Sequence, residues 1–253
     1  MLVGLLSVSL ISRLYASEIK GDSIPVDGTI RLENMHLWRG QEVTSAATLT
    51  TDISITDRSD IFRFGIWGGA GVNGNYKEID YYTNCSVSGF VFALWDIYNF
   101  SPGATYNNHQ AFNYNAHETG HFVDASLTYR LQGTVPLKFY WSTIVFGRDR
   151  NLLNKSNRYS SYVEINDQFC AARNTNIEIG VAGAFALNEG RNATGERSAA
   201  HFYGNNPGIV AIHLTVSKQL NLGGHKLPVA VMTMWNPESN YANIQLTVDL
   251  ISF

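Results

Sequence analysis

Charge is scarce in this chain. Lys, Arg, Asp and Glu make up 15 % of its 253 residues, against about a quarter in ordinary soluble domains. The formal net charge is only -3, so the basic footprint of a nucleic-acid binder is missing. Two cysteines, Cys85 and Cys170, are too few for a disulfide framework. Unbonded, packed thiols are the simpler reading, with one long-range bridge left open. No segment beyond the N-terminus approaches the 18 or so consecutive apolar residues that a membrane-crossing helix needs.

The apolar N-terminal run from Leu2 to Ile11 is itself too short to span a bilayer as a helix. With Arg13 and Ala16 behind it, it resembles a secretory leader cut after Ala16, leaving one domain over 17–253. No Lys or Arg precedes the run and Leu14 is large for its place, so a misplaced start or a first strand segment stays open. Aromatics, in contrast, are plentiful at 12 %, while mean hydropathy is near zero at -0.10. Few charges, many rings and no average greasiness suit a wall with one face in lipid and the other in water.

After residue 27 the dominant pattern is period-two alternation. Ile244, Leu246, Val248 and Leu250 interleave with Gln245, Thr247 and Asp249, and Val123, Ala125, Leu127 and Tyr129 alternate with Asp124, Ser126, Thr128 and Arg130. Side chains along a strand point alternately to opposite faces, so each such segment has one apolar and one polar side. Turn residues divide the chain into twelve expected strands, at 28–39, 46–57, 60–71, 76–86, 89–100, 119–131, 135–147, 157–168, 174–187, 207–220, 225–236 and 239–253. Most are about ten residues or longer, which a tilted strand needs to cross a bilayer. The expected fold is all-β, an antiparallel up-and-down transmembrane barrel. Closure is an energetic demand, because each unpaired backbone group in hydrocarbon costs on the order of several kcal/mol.

The connections alternate between a tighter class, such as 57–60, 86–89 and 132–134, and a roomier one that includes 101–118 and 188–206. Outer-membrane barrels of Gram-negative bacteria show this asymmetry, and an even strand count puts both termini on the periplasmic side. Pro136 and Pro228 fall at strand beginnings, where a missing N–H is tolerated. Trp38, Tyr98, Phe100, Phe146 and Trp235 at one end, and Tyr129, Phe139 and Phe169 at the other, fit aromatic girdles.

Two motifs look chemical and fail on context. His117-Glu118-Thr119-Gly120-His121 matches H-E-x-x-H, but residues four apart on a strand lie roughly 13 Å apart, too far to close on one ion. Gly69 to Gly74 matches G-x-G-x-x-G, yet a strand pattern follows where the dinucleotide fingerprint needs a helix. No enzyme activity, metal or cofactor is expected, and the sequons at Asn84, Asn99 and Asn192 mean nothing in a bacterial envelope.

The polar faces carry more. Turning the apolar dyads outward sends Asp52, Arg63, Glu78, Asp80, Asp124, Arg130, Lys138, Glu164, Glu178 and Asp249 inward as candidate pore-lining residues. Acids outnumber bases, so an open lumen attracts cations; the alternative is a lumen sealed by these groups pairing. Strands 89–100 and 225–236 are apolar on both faces, which leaves an internal plug or a protein contact open.

With the strands placed, the chain resembles the TorF-like porins and related small outer-membrane barrels. The resemblance rests on Leu37-Trp38-Arg39-Gly40-Gln41, Phe64-Gly65-Ile66-Trp67-Gly68, Glu78-Ile79-Asp80-Tyr81-Tyr82 and Lys138-Phe139-Tyr140-Trp141-Ser142-Thr143. It implies an outer-membrane location and a passive channel for ions or small polar solutes, and transfers no catalytic residue. Expected partners are outer-membrane lipid, the barrel-assembly machinery and, in a closed barrel, an envelope protein held by the loops. The terminal Phe253 looks like the aromatic ending read by that machinery. It shares parity with Asp249, so a bulge near Ile251 or an unused ending is required.

Overall fold

The computed structural model describes residues 25–133, 137–172, 174–191 and 194–253. The expected leader 1–16, Pro136 and the Asn192 sequon lie outside the described residues. The strands are β1 (Val26–Glu33), β2 (His36–Trp38), β3 (Gln41–Thr44), β4 (Thr48–Thr56), β5 (Phe62–Gly71), β6 (Lys77–Val87), β7 (Phe90–Asn99) and β8 (His121–Arg130). They continue as β9 (Lys138–Gly147), β10 (Ser160–Ala172), β11 (Thr175–Ala186), β12 (Gly190–Arg191), β13 (Arg197–Ser198), β14 (Gly208–Leu222), β15 (His225–Asn236) and β16 (Tyr241–Ser252).

Twelve of these strands form one closed antiparallel barrel, in the order β1, β4 to β11, β14, β15, β16, with β1 pairing both β4 and β16. One rim carries short links. Ser88-Gly89 and Gly223-Gly224 each have both residues at positive φ, the mirror-image turn geometry that matches strand twist. The opposite rim carries the longer links 34–47, 100–120, 148–159 and 187–207. We call these the turn end and the loop end.

The wall is sorted by parity, inside out relative to a soluble protein. On β4, Thr48, Thr50, Ser54 and Thr56 are buried while Leu49, Ile53 and Ile55 are exposed. Phe64, Ile66, Phe92, Leu94, Ile179, Leu214, Ile244 and Leu246 continue the exposed apolar band around the barrel. Inside lie Glu33, Asp80, Asp124, Lys138, Glu164, Gln245 and Asp249, all buried. A soluble fold reverses this sorting. Phe139, Phe169 and Trp235 stand outward as the aromatic pattern predicts.

The first expected strand ends early. The Asn34 side chain accepts a hydrogen bond from Leu246 N at 2.7 Å and donates to Ile244 O at 3.1 Å. Asn34 N still donates to Leu246 O at 3.1 Å, but the side chain takes the return bond from Leu246 N, and β1 stops at Glu33 rather than running to residue 39. The chain then turns inward as a hairpin, β2–β3, so Trp38 lies inside among Phe122, Phe202 and Tyr203 rather than in an outer girdle. The plug therefore comes from 34–47. The doubly apolar segments 89–100 and 225–236 are wall strands instead, β7 and β15.

The ending is settled by register. Ile30 pairs Ile251 while Arg31 pairs Asp249, so Leu250 is an extra residue bulged from β16. The bulge flips parity, and Phe253 turns out over Gly28, where an added Cβ would sit 2.3 Å from its ring. Gly28 and Phe253 also exchange both backbone hydrogen bonds, at 2.9 and 3.0 Å. Cys85 on β6 and Cys170 on β10 are not joined in a disulfide.

Candidate functional site

The lumen holds the polar chemistry, and its loop end is filled. At the tip of β2–β3, Arg39 and Gly40 have φ of 45° and 82°, and this two-residue turn carries Arg39 across the barrel. Its guanidinium donates to both Asp124 oxygens at 2.7 Å. It also donates to Tyr203 Oη at 2.7 Å and Tyr140 Oη at 2.5 Å, and lies 4.6 Å from the Trp38 ring centroid. This is a two-pronged pair with Asp124, Tyr140 and Tyr203 all buried. Asn236 on β15 donates to Gly40 O at 2.9 Å, and Gln41 donates to Phe202 O at 3.0 Å.

The link 187–207 contributes a second inward turn. Phe202 N donates to Ser160 Oγ at 2.8 Å, which brings Phe202 and Tyr203 over the hairpin. Two apolar clusters meet there. One contains Leu37, Tyr140, Tyr162, Tyr203, Val210 and Met234; the other contains Trp67, Tyr76, Tyr82, Trp95, Ile97 and Ile144. Trp38 and Phe202 touch both. Arg148 sits beside them, 3.9 Å from the Tyr106 ring, 4.8 Å from Phe122 and 5.0 Å from Phe202.

Of the ten candidate residues, Asp80, Asp124, Lys138, Glu164 and Asp249 are buried and Asp52, Arg63, Glu78, Arg130 and Glu178 half-buried, with strand parity opposite to that of the exposed apolar band. Asp249 takes Arg31 at 2.5 Å, and Asp124 takes Arg39. Asp52 accepts from Tyr82 Oη at 2.8 Å, Arg63 pairs with Asp27, and Glu78 accepts from Asn99 at 2.9 Å. Asp80 accepts from Tyr98 N at 3.3 Å. Lys138 and Glu178 are 3.9 Å apart, and Glu164 accepts from Tyr162 and Asn166. Arg130 shares the inner face with Thr128 and Ser126. Arg31 and Arg39 were absent from the sequence-based set, and each neutralises one of its acids. His36 was missed as well: it contacts Glu33 at 2.8 Å and stacks on Tyr76. The signal for the hairpin was Arg39-Gly40, a turn dipeptide at the end of the expected strand 28–39.

The H-E-x-x-H residues go separate ways. His117 Nδ1 lies 2.8 Å from Asn154 O. His121 faces outward at the loop end, its Nδ1 2.8 Å from Asp96 Oδ1 and its Nε2 2.8 Å from Ala111 O. Tyr98 and Tyr114 sandwich the ring, with centroids 4.3 and 4.5 Å away. Tyr114 also donates to Asp96 at 2.5 Å, and burial together with that carboxylate raises its phenol above the ordinary range. The link 100–120 is thereby latched to the outer wall. His121→Ala is expected to release it, with chymotryptic cleavage at Phe112 and Tyr114 rising by roughly tenfold or more, the scale of one or two lost hydrogen bonds. Unchanged cleavage in a folded barrel contradicts the latch.

No family model matches the sequence, and no curated protein matches it significantly. Among solved structures, the chain is similar to a protein of unknown function of the DUF3598 family from Nostoc punctiforme. Identity is 5 %, 90 % of this chain and 95 % of that one are covered, and the TM-score is 0.16, too low to carry an argument.

Proposed function

We propose that this chain is an outer-membrane barrel of a Gram-negative bacterium, whose lumen is a cation-preferring conduit for ions or small polar solutes. In the state described here the β2–β3 hairpin holds it shut. The observation that carries this reading is the Arg39–Asp124 pair, buried inside a barrel that wears its apolar side chains outward. A band of exposed Ile, Leu, Val and Phe needs lipid around it. A carboxylate-rich inner wall is chemistry for hydrated cations. The hairpin belongs to neither, since among the described residues its strands form a ladder only with each other and can leave without opening a seam in the wall.

A closed structural barrel that holds a partner on its loops is the competing reading, favoured by the same seal, and one experiment separates the two. The folded protein is placed in planar bilayers, beside a variant whose residues 36–44 are replaced by a short Gly–Ser link. The native barrel is expected to be silent for most of the record. The variant is expected to conduct steadily, with a cation preference that weakens in Glu78→Gln and Glu178→Gln. A silent variant with intact β-structure transfers the reading to the structural barrel. A native protein that is monodisperse without detergent removes the membrane altogether.

A further inference from the structure

One level of the inner wall is built unlike the rest. Across four neighbouring strands, Lys138 pairs with Asn166, Asn166 with Gly180, and Gly180 with His213. Each of the three side chains in this row has a buried atom without a hydrogen-bond partner among the described residues: Lys138 Nζ, Asn166 Oδ1 and His213 Nδ1. Such atoms are costly unless something satisfies them. Glu164, one rung away, is the hub. It accepts from Tyr162 Oη at 2.7 Å and Asn166 Nδ2 at 2.5 Å, and His213 Nε2 stands 3.4 Å from it.

The hub fixes the polarity of the open atoms. With Asn166 Nδ2 turned to Glu164, its Oδ1 is an acceptor. When the His213 ring carries its single proton on Nε2, turned to the same carboxylate, its Nδ1 is an acceptor too. The position between them is glycine for a reason of space, since a Cβ at Gly180 would lie 2.2 Å from His213 Nε2.

Next to this row, below the hairpin, is a cavity of about 140 Å³. Glu164, Glu178, His213, Met232, Met234 and Trp38 are among the residues that line it, and His213 and Met234 are paired neighbours across β14 and β15. The His213 side chain is only 9 % exposed. Arg31 and Arg39 also reach the cavity, but Asp249 and Asp124 already occupy them. The remaining lining is therefore the Glu164 and Glu178 carboxylates and the His213 edge, beside the thioethers of Met232 and Met234 and the Trp38 indole. A cavity near this size holds a ligand of about six heavy atoms.

We propose that this cavity binds a small organic ammonium ion, its head on Glu164 and the His213 edge and its apolar body on Met232 and Met234. Lys138 stands nearby as a competing cation that holds Glu178. The inference deepens the conduit reading and rests on it only for the route by which the ligand arrives.

The test is calorimetric titration of the closed native barrel in detergent with n-butylammonium, with 1-butanol and butyrate as controls. Saturable binding is expected for the amine alone, with a Kd on the order of millimolar for so small a ligand. Glu164→Gln is expected to weaken it by about tenfold or more, as loss of a charge-assisted contact does. Lys138→Met is expected to tighten it by removing the competitor. Gly180→Ala is expected to weaken it by driving the His213 ring into the cavity. Butanol binding as well as the amine, or amine binding indifferent to both Glu164→Gln and Lys138→Met, overturns the proposal, as does no binding by the native barrel. Conduction is not read here, so binding by a barrel that never conducts leaves this site standing while the gate falls. Conduction without amine binding does the reverse.

Discussion

A Gly40→Val barrel is expected to conduct where the native one is silent. Gly40 sits at φ 82°, a backbone region that costs a β-branched residue on the order of 1–2 kcal/mol or more. The larger obstacle is steric. A Cβ at this position would lie 2.1 Å from Val210 O and 2.9 Å from its carbonyl carbon. These are backbone atoms at the bulge of β14, between Ile209 and Ala211, which pair with Gly183 and Ala182 of β11, and they give way less readily than a side-chain tip would. The hairpin has somewhere to go, because its two strands pair only with each other, whereas β14 is locked to β11 and β15. The expected result is a displaced plug in an intact wall, seen as steady single-channel current with unchanged far-ultraviolet circular dichroism. A folded Gly40→Val protein that stays silent shows that the hairpin is not the gate.

The wall was legible in the sequence because its physics is local. Parity along each strand decides which side chains form the exposed apolar band and which the inner face, and Asp80, Asp124, Lys138, Glu164 and Asp249, placed inward on that ground, are buried there. Phe253 shows the method at its best. Its wrong parity demanded an irregularity near the end, and the bulge lies at Leu250, one residue from the expected place. The hairpin was not legible for an equally physical reason. From Arg31 to Arg39 the residues continue a plausible strand, and the Asn34 side chain that ends β1 acts through contacts to β16, more than two hundred residues away. The apolar inner faces of β7 and β15 misled in the same way: Trp95, Ile97, Met232 and Met234 face inward because the hairpin and the Phe202–Tyr203 turn give them something dry to pack on. Partners that determine a lumen come from distant strands, and alternation carries no information about them.

Asp124→Ala is expected to open the barrel by a different route, one that tests electrostatics rather than shape. Arg39 cannot shed its proton, so removing the carboxylate leaves a buried cation with the Tyr140 and Tyr203 hydroxyls and the Trp38 ring, but no counter-charge. Breaking one side of such a pair costs roughly 3–5 kcal/mol. Withdrawal of the hairpin relieves that cost, at the expense of wetting Leu37 and Trp38. Since 1.4 kcal/mol is a factor of ten in an equilibrium, the ratio of open to closed barrels is expected to rise by about 10² or more if most of the penalty is released this way. The open probability in bilayers measures it directly. The paired variant Arg39→Met/Asp124→Leu decides the cause, because two apolar side chains of similar bulk leave neither charge unpaired. It is expected to return the barrel to silence. If it conducts as Asp124→Ala does, the seal depends on the specific contacts of Arg39 with the tyrosines and not on its charge. If Asp124→Ala alone stays shut, the pair is not what holds the hairpin in place.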